Sequence, residues 1–181
     1  LSVTKGTQIN LYVVNIKNGK GKLLLKSPLN TIWGAPFYWI SNSEELIVKT
    51  VIDNRGNAPQ VSRVPGAPVI QENLGKVAPA RTYQDLLTNP YDEKLFEYYM
   101  TSQLVKVNMK GKAKKIGKPG IIRRSEPSPD GQYILMETIH RPFSYLVPLS
   151  RFPFLVEILT NEGKLIHTLR DVPLAENVPI G

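Results

Sequence analysis

Five side chains stand out by type and position as able to do chemistry: Arg81, His140, Arg141, Tyr145 and Arg151. Arg141 sits where an apolar run ends and a proline-stiffened segment begins, with Pro142, Pro148 and Pro153 restricting the backbone around it. A guanidinium held in such a segment can grip a carboxylate through two parallel N–H bonds. The plainer reading is an ion pair with Glu137 or with a neighbouring part of the sheet. Arg151 precedes Phe152-Pro153 in the same segment, and Arg81 lies at the start of a helical stretch. His140 reads as a strand-end histidine bonded to backbone. Phe143 and Tyr145 could line a chamber, although aromatics in β domains more often fill the core.

Other chemistries are excluded by what is missing. There is no cysteine, so thiolate and disulfide chemistry are out. The two histidines, His140 and His167, have no carboxylate at ligand spacing, so neither a metal nor a cofactor is expected. There is no G-x-S-x-G nucleophile elbow. Ser144 and Ser150 lie close to His140 in sequence, but a triad is a matter of geometry between nucleophile, base and orienter. No catalytic residue is expected in this chain.

The net charge of +8 is concentrated in Thr101–Ser125, which holds eight Lys or Arg and no acid. Such a stretch can attract nucleic acid. In Val105–Lys110, however, apolar and polar residues alternate, so the lysines line the outer face of a hairpin. No aromatics are interleaved to stack bases, and no nucleic-acid partner is expected. No apolar run approaches the roughly 20 residues of a membrane span, so no membrane partner is expected either.

The elements that must position these side chains are mostly strands. Ile9–Ile16 and Leu23–Leu25 flank a turn at Asn18-Gly19. Phe37–Ile40 and Leu46–Ile52 flank a polar turn at Ser41–Glu45. The segment 53–80 has little periodicity and reads as an insertion. Thr82 with Asp85 resembles a capping box, predicting a short helix to Leu87. Asn89-Pro90 then predicts an N-cap and first turn, with Leu95, Phe96 and Tyr99 as the apolar stripe of a helix to Met100. Strands follow at Gln103–Met109 and Ala113–Ile116, then at Tyr133–Met136 after the Pro129-Asp130-Gly131 turn. Phe154–Leu159 and Lys164–Leu169 flank a turn at Asn161–Gly163. Trp33 and Trp39 read as sheet core.

A repeat emerges from this order. Ser41 and Ser128 open equivalent turns 87 residues apart, a spacing that suits two propeller blades of about 40–45 residues, or one blade plus the helical insertion. The predicted fold class is all-β: part of a β-propeller of about three blades, with a short helical insertion around residues 82–100. The alternative is an ordinary β-sandwich. The whole of 1–181 is read as one propeller-domain fragment. It comprises a blade region at 1–52, the insertion at 53–101, a blade region at 102–140, and a proline-rich loop with the start of the next blade at 141–181. The chain starts at Leu1 without a methionine and stops abruptly at Gly181, and is read as a piece of a longer protein. Its open sheet edges invite pairing with a second copy.

Ser128-Pro129-Asp130-Gly131-Gln132-Tyr133-Ile134 resembles the S-P-D-G-K-x-I blade motif of TolB-like proteins and of peptidases of the prolyl oligopeptidase family. Three longer blocks narrow the resemblance: Gly75–Leu87, Tyr98–Val105, and Glu137–Pro148 with Arg151-Phe152-Pro153. Together they resemble the N-terminal propeller of the glutamyl endopeptidases of that family, over most of Phe37–Gly181. The resemblance implies a two-domain serine peptidase in which the propeller gates a C-terminal α/β-hydrolase domain that holds the triad. It implies that this chain lacks the hydrolase domain, meets a peptide substrate cleaved after Glu, and comes from a plastid-type or bacterial exported protein. In that setting Arg141, Arg151, Tyr145, His140 and Arg81 are the candidate substrate-binding residues. Two other readings stand beside it: a non-enzymatic TolB-like scaffold that binds proteins, and a basic nucleic-acid-binding domain built on Thr101–Ser125.

Overall fold

The computed structural model describes residues 1–60 and 83–177. Ten strands and one helix follow one another. β1 (Ser2–Lys5), β2 (Gln8–Val14) and β3 (Gly21–Leu23) form a three-strand antiparallel sheet. β4 (Phe37–Trp39), β5 (Glu45–Val51), β6 (Thr101–Asn108), β7 (Ala113–Pro127), β8 (Tyr133–Ile139), β9 (Phe154–Thr160) and β10 (Leu165–Val172) form a second sheet. Its seven strands are hydrogen-bonded in sequence order, so it is a curled antiparallel meander. The helix, α1 (Pro90–Met100), sits in the connection between β5 and β6.

β7 is the hinge of this sheet. Ala113–Ile121 pairs with β6, and Ile121–Pro127 pairs with β8, so the strand changes partner near Ile121. Register shifts accompany both pairings, opposite Ser102–Leu104 and at Ile122–Arg124. The sequence there is Gly117-Lys118-Pro119-Gly120, with Gly117 at φ +59°. Such residues bend a strand without ending it. At Gly120 a Cβ would lie 2.9 Å from Thr138 Cγ2, so the bare backbone lets β8 approach.

Period-two alternation then distributes the core. Ile40, Ile47, Leu104 and Ile116, from the β4–β7 half, pack against Ile122, Ile134, Met136 and Leu159 from the β7–β10 half. The opposite face of β5 and β6 carries Leu46, Val48, Val105 and Val107. It packs on Leu11 of β2 and on Leu24, Leu25 and Leu29. One residue of slip in β5 or β6 would exchange these two faces.

The two ends of the long sheet differ. Tight turns close one end. At Asn108, Oδ1 accepts from the Lys110 and Lys112 amides. At Ser128–Gly131, Asp130 accepts from the Gln132 amide and Gly131 takes φ +72°. Gly131 also abuts the Ser41 turn, since a Cβ there would lie 2.7 Å from Ile40 Cγ2. The other end, where Thr101, Ile121, Ile139 and Phe154 lie in register, carries both long connections, from β5 to β6 and from β8 to β9.

Several expectations are revised. Most strands appear where the apolar runs predicted them, with ends shifted by a few residues, but β7 runs on from the expected Ala113–Ile116 to Pro127, and β1 had no assignment. Instead of separate sheets, the seven strands form one sheet that continues through β7 across an irregular stretch at 117–119. The helix predicted over 82–87 is absent from its described part, Tyr83–Leu87, where Asp85 adopts φ +59° and stops helical propagation. Thr82 lies outside the described residues. Trp39 is 52% exposed and Trp33 is also exposed, so neither is core. Much of the basic stretch is compensated. Lys106 and Lys114 pair with Glu162, Lys115 with Asp53, and Arg123 and Arg124 with Glu137. Among the described residues, no helix is long and apolar enough to cross a membrane.

Gly163 tests the packing of the turn end against β7. It holds φ +87°, and a Cβ there would come within 2.4 Å of Gly117 N. Gly163→Ala is expected to lose about 2–4 kcal/mol from overpacking and strain. Gly19→Ala, at φ +68° in open space, is expected to lose only about 1 kcal/mol. Urea midpoints of the two variants check the difference, and equal losses would mean that Gly163 is not packed as described.

Candidate functional site

α1 is built by local chemistry. The Asn89 side chain accepts from the Tyr91 and Asp92 amides at 2.8 and 3.0 Å, and Pro90 occupies the first turn. Thr88 donates to Asp92 through its amide at 2.8 Å and its hydroxyl at 2.5 Å. These bonds hold the Asp92 carboxyl below its ordinary range. At the other end, Thr101 Oγ1 donates to Glu97 O at 2.6 Å. Nearby, Arg55 stacks over Tyr98 at 4.3 Å and Tyr98 donates to Gly56 O, fastening the start of the insertion to the helix.

One side of α1 joins an aromatic core at the long-connection end of the sheet. Phe96 meets Phe143 and Phe152 edge to face, with centroids 5.0 and 5.8 Å apart, while Phe143 and Phe152 stack at 5.5 Å. Met100, Ile121, Ile139 and Val147 complete this cluster. The neighbouring side of α1 presents Glu93 and Glu97, four residues apart and therefore adjacent on the helix surface.

Arg141 meets both carboxylates. Its Nε and Nη2 donate to the two oxygens of Glu97, each at 2.9 Å, and Nη1 donates to Glu93 at 2.6 Å. Its guanidinium lies 4.7 Å over the Phe143 ring. These bonds hold Arg141 above the ordinary guanidinium range. Burial opposes ionisation of Glu93, but hydrogen bonds from Arg141 and Tyr145 outweigh it and keep the carboxyl below its ordinary 4.5. Burial, and then the bond to Glu93, push the Tyr145 hydroxyl up.

The remaining candidates surround this cluster. His140 Nδ1 lies 2.7 Å from Arg141 O, and Nε2 lies 3.1 Å from Asp171 of β10. The buried Ser144 hydroxyl donates to Glu176 at 2.5 Å and accepts from the Leu146 amide. Arg151 ends a 3-10 turn, Leu149–Arg151, and donates to Ala175 O at 3.3 Å. Thus His140, Arg141, Tyr145 and Arg151 all stand around one aromatic core, while Arg81 lies outside the described residues. Glu137, one of the two partners expected for Arg141, beside a neighbouring part of the sheet, is instead taken by Arg123 and Arg124. Sequence reasoning missed Glu93 and Glu97 as partners of Arg141. Their i,i+4 spacing marked a shared face, but not what that face meets. Among the described residues, no group of three or more His, Asp or Glu is placed to hold a metal ion.

The arrangement joins the two long connections electrostatically. For stability, the sign follows from the depressed Glu93: its contribution is complete above the unfolded value near 4.5 and is lost as pH falls through the lower folded value. Arg141→Gln is expected to cost about 1 kcal/mol near neutral pH, a small figure because the Arg141 side chain is half exposed. The difference from the unmodified chain should shrink toward zero near pH 3. Urea midpoints at the two pH values check this, and a pH-independent loss would assign the effect to packing on Phe143.

No protein-family model matches the chain. Two curated plant proteins do, each named probable glutamyl endopeptidase, chloroplastic. The one from Oryza sativa subsp. japonica is 44% identical over 177 residues, 96% of this chain and 19% of the relative. The one from Arabidopsis thaliana is 40% identical over 174 residues, 94% of this chain and 18% of the relative. This chain is therefore a homologue of one segment of these proteins, as the resemblance implied, and spans about a fifth of their length.

Proposed function

We propose that the chain is a non-catalytic β-propeller segment of a serine endopeptidase of the prolyl oligopeptidase family. It helps gate and bind peptide substrates, cleaved after Glu, for a C-terminal α/β-hydrolase domain. The observation that carries this reading is the similarity, along nearly the whole chain, to proteins named glutamyl endopeptidase.

The partner exchange in β7 supports the propeller part of the reading. It divides the long sheet into two groups of four strands. One is β4, β5, β6 and the first half of β7; the other is the second half of β7, β8, β9 and β10. Four antiparallel strands make a blade, and blades pack face to face, as the eight-residue layer between the two groups does. The gathering of both long connections at one end supports a substrate-facing role for that end, because binding groups concentrate on connections held by a rigid sheet. Arg141, Tyr145, His140 and Arg151 are its candidate contacts.

Among the described residues, nothing covers the outer face of the second group. Tyr133, Leu135, Ile158 and Ile166 line a shallow groove there beside Pro127. In a propeller the next blade covers this face; in the isolated chain a second copy does so. Sedimentation equilibrium is expected to show self-association that Ile158→Lys with Ile166→Lys reduces at unchanged far-ultraviolet circular dichroism. A monomer at all concentrations would count against an open blade face.

The main test uses the full-length protein. Cleavage of peptides after Glu, blocked by a serine-directed organophosphorus reagent, is the expected result. Absence of peptidase activity, or activity insensitive to that reagent, would overturn the reading.

A further inference from the structure

We infer that Arg141 is a carboxylate-binding fork occupied by an internal competitor, Glu97, and that the side chain of an acidic peptide residue binds by displacing Glu97. This deepens the peptide-binding reading above and rests on it.

The geometry already holds the ligand class. Both Glu97 oxygens meet Nε and Nη2 of Arg141 at 2.9 Å, the two-point contact by which a guanidinium recognises a free carboxylate. The two acidic partners differ in hold. Glu93 is the less exposed, its side chain 17% accessible, and Arg141 Nη1 donates to it at 2.6 Å. Glu97 is 39% accessible, and Arg141 is the only side chain bonded to its carboxylate among the described residues. Glu97 is therefore the exchangeable partner and Glu93 the anchoring one.

Two further features keep the fork ready when Glu97 leaves. The Phe143 ring supports the plane of the guanidinium from one face, and the bond to Glu93 fixes Nη1. The side-chain carboxylate of Glu97 can swing into water without unwinding α1, because the Thr101 bond goes to the Glu97 main-chain oxygen. Charge makes the exchange selective. Glu93, Glu97 and Arg141 together carry one net negative charge, so an acidic ligand is repelled until Glu97 withdraws and then restores the same balance. A neutral ligand gains nothing from the exchange. Apparent affinity is reduced by the fraction of time the fork is closed. An internal ion pair of this exposure, worth at most about 1 kcal/mol, closes it up to about five-sixths of the time.

The test titrates a blocked Ala-Ala-Glu-Ala peptide, and its Gln counterpart, into this chain, followed by backbone amide resonances of α1 and residues 139–146. Glu97→Gln is expected to bind the Glu peptide about sixfold more tightly than the unmodified chain. It should show no gain for the Gln peptide. Glu97→Gln combined with Arg141→Gln should lose the gain. Equal or weaker binding by Glu97→Gln at unchanged circular dichroism would overturn the inference. So would a gain that survives in the double variant or extends to the Gln peptide. The peptidase reading fails separately: a full-length protein that cleaves after Glu while these titrations stay flat removes only the competitor role. Arg141-dependent binding in a full-length protein without peptidase activity would leave the fork and remove the peptidase reading.

Discussion

The apolar layer between the two halves of the long sheet is the constraint on which the rest depends. Ile40, Ile47, Leu104 and Ile116 can leave water only if Ile122, Ile134, Met136 and Leu159 fold back over them. Full burial of side chains of this size contributes roughly 1.5–3 kcal/mol each. That gain requires β7 to bend where it passes from one partner to the other. Gly117, Pro119 and Gly120 allow it by bending the strand at the place where it changes partner. With the halves stacked, the in-register ends of β5, β6, β8 and β9 are brought together, and both long connections leave from the same side.

That shared exit explains why the polar cluster exists. A helix in one connection and a proline-rich loop in the other come within reach only because the sheet delivers them there. Phe96, Phe143 and Phe152 then join them with apolar surface, and Arg141, Glu93, Glu97 and Tyr145 orient them. The division of labour is physical. Aromatic burial is nondirectional and supplies the contact, whereas the planar guanidinium has one geometry and sets the angle. Lys49 shows the same economy within the sheet. It is buried, and its burial lowers its affinity for a proton. Its Nζ donates to Trp33 O, holding the loop that leads into β4.

Much of the fold was legible because it is local. Asn89-Pro90 announced the start of α1, and Pro129-Asp130-Gly131 and Asn161–Gly163 announced two of the tight turns that close one end of the sheet. Alternation in Val105–Lys110 announced the strand that became β6. What could not be read was how far hydrogen bonding continues. The Gly117–Gly120 stretch has the composition of a loop, yet lies inside a 15-residue strand, because a partner exchange leaves no local signal. The short helix over 82–87 failed for the opposite reason. Its cap pattern was present, but nothing local reported that Asp85 takes a left-handed backbone.

The candidate site divides in the same way. The sequence by itself determined that a guanidinium stands in a stiff loop after a strand, that Glu93 and Glu97 share a helix face, and that neither thiol chemistry nor a nucleophile elbow is available. These follow from residue type and from spacings of one to four positions. Only the tertiary structure decided that Arg141 meets Glu97 rather than Glu137, that His140 meets Asp171, and that the tryptophans lie outside the core. The pairs involved are 31 to 44 residues apart. Their approach is governed by the register of strands and the bend in β7, and burial of apolar surface drives both without regard to which charges it brings together.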